Sequence, residues 1–287
     1  MGNCYLEIWR TLYEDEFNPN VYLYHYTSIS SAAKILYYKS LKFSKLTKMN
    51  DTLESKPKIS QNHTSDSESI ADIVQYFKNT NDTKLQLLCM SRDFSNSRTE
   101  VDEQIKYSDF SGRAFALPRM WAQYASNNSG VCLIFDKEKL IQLIKDTLGS
   151  ALIHADNVKY ISKFKSFEIS PEAVQSFSNY LVYNSNKLFR DINALSFLKN
   201  NIEFVKYNYF SKLEDWQGER EFRFLAYGDE EYYINHIIDA LVGIVVGEHI
   251  EKSDLSFIRY LCPNNCDIMK INFNFTGCTL KNTEEEK

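Results

Sequence analysis

Apolar and polar residues alternate over residues 21–27, VYLYHYT, and this pattern predicts a β-strand near the start of the chain. On a strand, the three tyrosines point to one face, while Leu23, His25 and Thr27 point to the other. The histidine is therefore aimed either into the core or into a cleft. A buried histidine bonded to a backbone carbonyl is the commoner outcome, so the rest of the sequence must decide.

Similar patterns along the chain predict a mixture of helices and further strands. Helices are predicted at 28–40, where Ser28 or Ser30 is a suitable N-cap, and at 117–128, with Pro118 in the first turn. Short apolar runs predict strands at 85–91, 130–136, 219–228, 240–247 and 267–275. The order of these elements favours one domain of mixed class.

Residues 165–212 differ from the rest of the chain, because aromatic and aliphatic residues recur there at helical spacing without a strand signal. We therefore expect an α+β protein in which a mixed, twisted β-sheet core carries an α-helical insertion. A single domain should span residues 1–287. Its expected parts are an N-terminal helix at 1–20, the sheet-containing core at 21–164 and 213–275, the insertion at 165–212, and a solvated tail at 276–287.

The composition agrees with a globular protein, because 287 residues with 44% hydrophobic and 14% aromatic side chains can bury a full core. The net charge of −5 argues against a globally basic nucleic-acid-binding protein. The sequence has neither a signal-peptide pattern nor an apolar run of about 18 residues. We therefore expect a cytoplasmic protein that does not cross a membrane.

The six cysteines are scattered, and Cys89 and Cys132 lie inside predicted strands, as small core residues in a reducing compartment do. The end of the chain could in principle supply four zinc ligands, namely His249, Cys262, Cys266 and Cys278. The residues between Cys262 and Cys266, Pro-Asn-Asn, are typical of a turn, which explains the spacing without a metal. We expect no metal site.

Two carboxylates lie two residues apart in DWQGEREFRF, residues 215–224. Strand alternation would place Glu219, Glu221 and Arg223 on one face, with two phenylalanines anchoring the other face in the core. The repulsion between two such carboxylates is usually offset by a neighbouring arginine. This pattern indicates either the exposed face of an edge strand or part of a cleft.

Several motifs occur in a fixed order: HYTS (25–28), NDTLE (50–54), CMS (89–91), MW-x-x-Y (120–124), K-x(3)-W-x-x-E-x-E-x-R (212–223) and GIVVG (243–247). In this order they resemble the bacterial family known as domain of unknown function twenty-nine seventy-one, over about residues 21–250. The pattern is also similar to that of the ADP-ribosyltransferase superfamily. That superfamily uses a histidine on its first core strand, a tyrosine, and a glutamate on a later strand.

The resemblance implies an ADP-ribosyltransferase-like sheet and catalytic roles for His25, Tyr124, and Glu219 or Glu221. Cleavage of the nicotinamide bond of NAD develops positive charge on the ribose, which a carboxylate stabilises. A histidine can fix the ribose hydroxyls, and a tyrosine can stack on the nicotinamide. The residues implied for NAD binding are Tyr26, Thr27, Ser28, Ser91, Arg92, Trp121 and Arg223. Trp121 and Tyr124 are also spaced as an ordinary packing stripe on a helix.

The implied function is transfer of ADP-ribose from NAD, as substrate, to a macromolecular target, in a toxin or phage-defence setting. The target is a protein or a nucleic acid, and the oligomeric state is left open. NAD glycohydrolase activity, with water as acceptor, is one alternative. A non-catalytic nucleotide- or protein-binding module, in which the same residues only hold the fold, is the other.

The segment from Lys34 to Lys58 is locally basic, because its seven lysines face only Asp51 and Glu54, for a balance of +5. Such a segment could follow a nucleic-acid backbone or hold the phosphates of NAD. Lysines in this arrangement more often form a solvated surface, so the pattern alone does not assign them a role.

Overall fold

The computed structural model describes residues 20–56, 58, 75–79, 83–94, 110–165, 167, 187–263, 266–275 and 277–283. The helix that we predicted at 1–20 lies outside the described residues, apart from Asn20. No helix in the described ranges combines the length and apolar character needed to cross a membrane.

The strands are β1 (Tyr22–Thr27), β2 (Ser40–Lys42), β3 (Ser44–Lys45), β4 (Leu85–Arg92), β5 (Val131–Asp136), β6 (Leu152–Asn157), β7 (Lys159–Ile161), β8 (Ser211–Leu213), β9 (Glu221–Tyr227), β10 (Tyr233–Asn235), β11 (Leu241–Val246), β12 (Ile268–Asn274) and β13 (Gly277–Asn282). The α-helices include α1 (Ile29–Tyr38), α2 (Pro118–Tyr124), α3 (Lys137–Leu148), α4 (Lys187–Asn200), α5 (Ile202–Tyr209) and α6 (Lys252–Leu261). Short 3-10 helices include Leu46–Lys48, Phe110–Gly112, Ala114–Ala116, Gly149–Ala151, Glu214–Glu219 and Ile237–Asp239.

One large sheet forms the centre of the protein, in the strand order β13-β12-β11-β5-β1-β4-β9-β6, with β3 beside β4. Strands β11 and β12 pair in parallel, whereas the other neighbours in this order are antiparallel. The mixed sheet with its helices agrees with the α+β class expected from the sequence. Strand β1 lies in the interior of this sheet, between β5 and β4.

Helices cover both faces of the sheet. On one face, Leu23 and Phe224 belong to a core cluster that also contains buried residues of α1, α3 and α6. On the other face, the β1 tyrosines pack with α2, and β4 and β9 pack with α4 and α5. The alternation predicted for β1 is therefore confirmed. Its tyrosines and Leu23 belong to separate core clusters.

Helix α1 follows β1 directly because Ser28 serves as its N-cap. The Ser28 hydroxyl accepts a hydrogen bond from the Ser31 backbone N–H at 3.2 Å. This bond satisfies one of the free N–H groups of the first turn. Ser28 was also expected to bind NAD, but its hydroxyl is used locally by the helix.

Helix α2 is shorter than the helix predicted at 117–128, since it ends at Tyr124. Ser126, Asn127 and Asn128 adopt positive φ values of 47°, 55° and 68°, which no α-helix allows. Gly130 then approaches β1 so closely that a Cβ there would lie 2.4 Å from the Thr27 carbonyl oxygen. This turn places the end of α2 beside β1, with Tyr124 as its last residue.

The end of the chain contains a strand where we expected only a solvated tail from 276. Strand β13 pairs with β12 in antiparallel register and forms the edge of the sheet. Only Cys278 and Leu280 alternate as apolar residues in this strand, and Cys278 is buried. Two apolar positions are too few for a strand signal, because an edge strand packs through little of its surface.

The described part of residues 165–212 contains α4 and α5, in agreement with the helical pattern of this segment. Phe197 and Phe204 from these helices are buried against the sheet, with ring centroids 5.6 Å apart. The last two residues, Ser211 and Lys212, already belong to β8, which pairs in parallel with β7. Lys212 thus lies on a strand, and that strand carries it to the site described next.

Candidate functional site

A cavity of about 240 Å³ opens beside β1 and β4. The paired register of these strands contains Leu23–Arg92 and Tyr24–Ser91 and stops before His25. Beyond that point, His25 and Tyr26 of β1 and residues 87–91 of β4 line the cavity. The cavity therefore lies where two central strands separate.

His25 faces this cavity and is half-buried. Burial lowers the pKa of its imidazole, and a hydrogen bond to the Cys89 backbone opposes that shift. A hydrogen bond that an imidazole N–H donates to a carbonyl oxygen favours the protonated imidazole. The effect of the Cys89 bond is therefore the one expected if His25 donates to the Cys89 carbonyl. A neutral imidazole bonded in this way keeps its second nitrogen as an acceptor. His25 thus combines the two outcomes predicted for it, a backbone bond and a position in a cleft.

Strand alternation places His25 and Glu221 on opposite faces of the sheet. Tyr24 pairs with Ser91, and Ser91 pairs with Glu221, so these three residues share a face that does not include His25. Both His25 and Glu221 nevertheless line the cavity. They reach it from the two sides because the gap between β1 and β4 interrupts the sheet.

The two glutamates of the E-x-E motif do not lie on one strand, contrary to our expectation. Glu219 ends the 3-10 helix Glu214–Glu219, and Glu221 begins β9. Arg220 between them adopts a left-handed conformation with φ of 49°. The left-handed residue interrupts the alternation that a continuous strand would have produced. Both carboxylates are buried and line the cavity.

Lys212 holds three carboxylates together at the cavity. Its Nζ lies 2.7 Å from Glu219 Oε2, 3.0 Å from Glu221 Oε2 and 3.0 Å from Glu54 Oε1. An ammonium group has three N–H donors, so three carboxylate oxygens match its donors in number. The carboxylates raise the pKa of Lys212 against the opposing effect of burial, and the side chain stays charged.

Arg223 supports two of these carboxylates, Glu221 and Glu54, from within the sheet. Its Nε lies 2.5 Å from Glu221 Oε1, its Nη2 lies 2.9 Å from Glu221 Oε2, and its Nη1 donates to the Tyr209 carbonyl at 2.7 Å. Nη2 also contacts Glu54. We expected Arg223 to bind NAD, but a buried guanidinium with these contacts is not free to hold a pyrophosphate. It anchors the carboxylates instead.

Tyr124 contacts the glutamates directly. Its hydroxyl donates to Glu219 Oε1 at 2.5 Å, and burial together with this carboxylate raises its pKa. Trp121 of the same helix is fully buried, and its indole N–H donates to the Phe115 carbonyl at 2.7 Å. Of the two aromatic residues spaced for packing, Trp121 therefore packs, whereas Tyr124 belongs to the cavity.

The residues expected to bind NAD fall into two groups. Tyr26, Ser91 and Arg223 line the cavity, although the Tyr26 hydroxyl is bonded to the Ala114 carbonyl. The other four are absent from the described lining, namely Thr27, Ser28, Arg92 and Trp121. The chain passes from β1 into its capped helix directly after Thr27 and leaves the gap, which explains why Thr27 and Ser28 do not line the cavity although they follow Tyr26 in the sequence.

Glu54 and Lys212 are members of the site to which the sequence analysis gave no role. Both lie within motifs that it identified, NDTLE and K-x(3)-W-x-x-E-x-E-x-R. Lys212 could have been identified from the excess of carboxylates over arginines in the second motif, because buried carboxylates require nearby cations. Glu54 is distant in sequence from the other members and carried no such signal.

The lysine-rich segment contributes to the mouth of the cavity. Lys42 and Lys48 are exposed and line it, and Lys42 Nζ pairs with Glu231 Oε2 at 2.6 Å. Lys45 instead donates to the Thr83 carbonyl at 2.6 Å and has a structural role. In the described ranges, no cluster of three or more His, Cys, Asp or Glu side chains is placed to hold a metal ion.

The buried position of Glu221 predicts acid-sensitive stability. Burial opposes its ionisation, but Arg223 and then Lys212 outweigh burial and lower the pKa from 4.5 to about 2. Because the folded pKa is below the unfolded value, the stabilisation is complete above pH 4.5 and is lost as the pH falls towards 2. We expect a loss on the order of 3 kcal/mol from this group.

Urea unfolding of the parent protein and of Glu221→Gln at pH 5, 4 and 3 measures this effect. The free energy of unfolding should fall more steeply with acid in the parent, because the variant lacks the titrating group. Parallel dependence in the two proteins would contradict the assignment.

Comparisons with known proteins give one family. The family described as protein of unknown function (DUF2971) matches residues 120–224. No curated protein matches the sequence. A solved structure titled Thermus sp. 2.9 DarT in complex with ADP-ribosylated ssDNA is similar over 89% of this chain and 97% of that chain, with 11% identity and a TM-score of 0.33, too low to assign a function. The match agrees, over residues 120–224, with the family that the order of the motifs predicted.

Proposed function

We propose that this protein has an ADP-ribosyltransferase-like sheet and transfers ADP-ribose from NAD to a macromolecular acceptor. The observation that supports this proposal is the convergence of His25, Tyr124, Glu219 and Glu221 on one cavity. These residues come from three separate segments of the chain. A module that only had to hold its fold would not need a histidine, a phenol and carboxylates around one empty volume.

The size of the cavity limits which part of NAD can enter it. At about 240 Å³ it is slightly smaller than the usual lower limit of ~300 Å³ for a ligand pocket. It would therefore hold the nicotinamide and its ribose rather than the whole dinucleotide. The pyrophosphate would lie at the mouth, where Lys42 and Lys48 are exposed.

In the proposed reaction, the bond between the ribose C1′ and the nicotinamide nitrogen breaks, and its electron pair leaves with the nicotinamide. Positive charge develops on the ribose ring, and a nucleophilic atom of the acceptor forms the new bond to C1′ and releases its proton to solvent. A carboxylate beside the ribose lowers the energy of this charged transition state. Neither step requires a metal ion or a redox partner.

We assign the charge-stabilising role to Glu219 and a supporting role to Glu221. Both oxygens of Glu221 contact nitrogens of Arg223, and one also contacts Lys212, so much of its charge is neutralised. Glu219 contacts Lys212 through one oxygen and accepts a bond from the neutral Tyr124 hydroxyl through the other. More of its negative charge therefore remains available to the cavity.

His25 has the role of positioning the ribose. Its pKa is lowered by burial, so the imidazole is neutral near pH 7, and its bond to the Cys89 backbone fixes the ring. The remaining nitrogen can then accept a hydrogen bond from a ribose hydroxyl. This orients C1′ for attack, the kind of positioning whose loss costs on the order of 100-fold in rate.

Replacement of His25 tests the proposal. We expect His25→Ala to lower nicotinamide release from NAD by on the order of 100-fold, because the ribose is no longer oriented. The Cys89 backbone also loses its partner, so the free energy of unfolding should fall by about 1–3 kcal/mol. Chromatography of nicotinamide and thermal unfolding measure the two effects. His249→Ala, which removes an exposed histidine, is the matched control and should behave like the parent.

Labelled NAD incubated with the protein and a bacterial lysate separates the proposal from its alternatives. Label transferred to protein or nucleic acid supports transfer to a macromolecule, as a toxin or phage-defence effector would perform. Nicotinamide release without transferred label indicates a glycohydrolase. NAD binding without release would overturn the proposed reaction and leave a binding module.

A further inference from the structure

Glu54 reaches the cavity from a different part of the chain than the E-x-E glutamates. It follows the 3-10 helix Leu46–Lys48 and is 3% exposed. Its Oε1 lies 3.0 Å from Lys212 Nζ and also contacts Arg223 Nη2. Glu54 thus shares both cations with Glu221 and shares Lys212 with Glu219.

The third carboxylate determines the charge of this buried cluster. Glu54, Glu219 and Glu221 contribute three negative charges, and Lys212 and Arg223 contribute two positive charges, so the cluster carries a net charge of −1. Without Glu54, the remaining two carboxylates and two cations would cancel.

The charged groups around this cluster do not change the balance. Asp51 is buried and Lys58 is half-buried, and their charges offset each other. Lys58 is held by the Asn208 and Ser211 carbonyls at 2.9 and 3.2 Å. At the mouth, Lys42 and Lys48 are exposed to solvent, which screens their charges far more than those of the buried cluster.

We infer that Glu54 is a specificity-determining residue that makes the cavity prefer a cationic ring. This inference rests on the proposed function, in which the nicotinamide ring of NAD enters the cavity. The oxidised ring is a pyridinium cation, whereas the ring of NADH is neutral. A net charge of −1 close to the ring favours the cation, and Glu54 supplies the charge that creates this difference. Glu54 itself acts through Lys212 and Arg223, since its only described contacts at the cluster are with these cations.

Binding of two small rings tests this role without requiring catalysis. 1-Methylnicotinamide, which is methylated on the ring nitrogen, is a cation, whereas nicotinamide is neutral, and the two differ by one methyl group. The parent should bind the cation about tenfold more tightly, as expected for one charge at short distance in a partly buried site. In Glu54→Gln this ratio should fall to about one. Isothermal calorimetry at two salt concentrations measures both affinities.

Two further variants keep the test decisive. Glu54→Asp preserves the charge, so it should keep the preference for the cation even if both affinities fall through altered packing. Glu138→Gln removes an exposed carboxylate on α3 and should leave the ratio unchanged. Equal binding of both rings by the parent, an unchanged ratio in Glu54→Gln, or loss of the ratio in Glu54→Asp would overturn the inference. If only the proposed reaction is wrong, the cavity will still bind the cationic ring more tightly, but the protein will release no nicotinamide from NAD.

Discussion

Replacing Arg223 with methionine should lower the free energy of unfolding by about 3–5 kcal/mol, the largest stability effect expected for a single substitution at this site. The guanidinium is 1% exposed and contacts Glu221, Glu54 and the Tyr209 carbonyl. Methionine fills much of the same volume but donates no hydrogen bond. Three buried carboxylates would then share Lys212 alone, and an uncompensated buried charge is costly.

Chemical denaturation of Arg223→Met and of the double variant Arg223→Met/Glu221→Gln tests this account. The double variant should lose less free energy of unfolding than the two single variants lose together, because removing Glu221 removes the charge that Arg223 neutralised. Arg119→Met, at an exposed arginine, should change stability by less than about 1 kcal/mol and serves as the control. Additive losses in the double variant would show that Arg223 stabilises the protein by packing rather than by charge.

Strands β1 and β9 could be predicted from the sequence because apolar and polar residues alternate along them, and β4, β5 and β11 could be predicted because each is a short apolar run. In β9, Phe222 and Phe224 pack in the core cluster on one face, while Glu221 and Arg223 face the cavity. Once a strand is recognised, the face to which each side chain points is known, because successive residues point to opposite faces. The same reasoning gave the correct faces for the tyrosines of β1.

The position of Glu219 could not be predicted, because it depends on one backbone conformation. A continuous strand through Glu219, Arg220 and Glu221 is the simplest interpretation of the alternation. The left-handed Arg220 ends that strand and places Glu219 at the end of a 3-10 helix. Arginine has no special preference for this conformation, so the sequence contains no local signal for it.

Contacts between segments that are far apart in the sequence also could not be predicted from the pattern of apolar and polar residues. Glu54 meets Arg223 across a separation of 169 positions, and His25 meets the Cys89 backbone across a gap in the sheet. Periodicity reports the environment of a residue within its own element, not which other element it will meet. The order of the motifs nevertheless predicted His25, Tyr124 and both E-x-E glutamates as site residues, and all four line the cavity.

Replacing Glu219 with glutamine should reduce nicotinamide release from NAD by about 100- to 1,000-fold, the largest effect on activity expected for a single substitution. The carboxylate would lose the charge that stabilises the developing positive ribose. Its hydrogen bonds can largely persist, because the amide oxygen can accept from Lys212 while the amide N–H₂ donates to the Tyr124 hydroxyl oxygen. We therefore expect the melting temperature to change much less than in Arg223→Met.

Two comparisons distinguish a loss of charge from a general disturbance of the site. Glu214→Gln changes an exposed carboxylate in the same 3-10 helix and should retain parental turnover. Tyr124→Phe removes the hydroxyl but keeps the charge of Glu219, so its turnover should lie between those of Glu219→Gln and the parent. The assignment between the two glutamates also depends on Glu221→Gln, which should lose stability more than Glu219→Gln does because its carboxylate contacts both buried cations. A stable, inactive Glu221→Gln beside a Glu219→Gln with parental turnover would reverse the two roles, because the stabilising charge would then have to come from the carboxylate on β9.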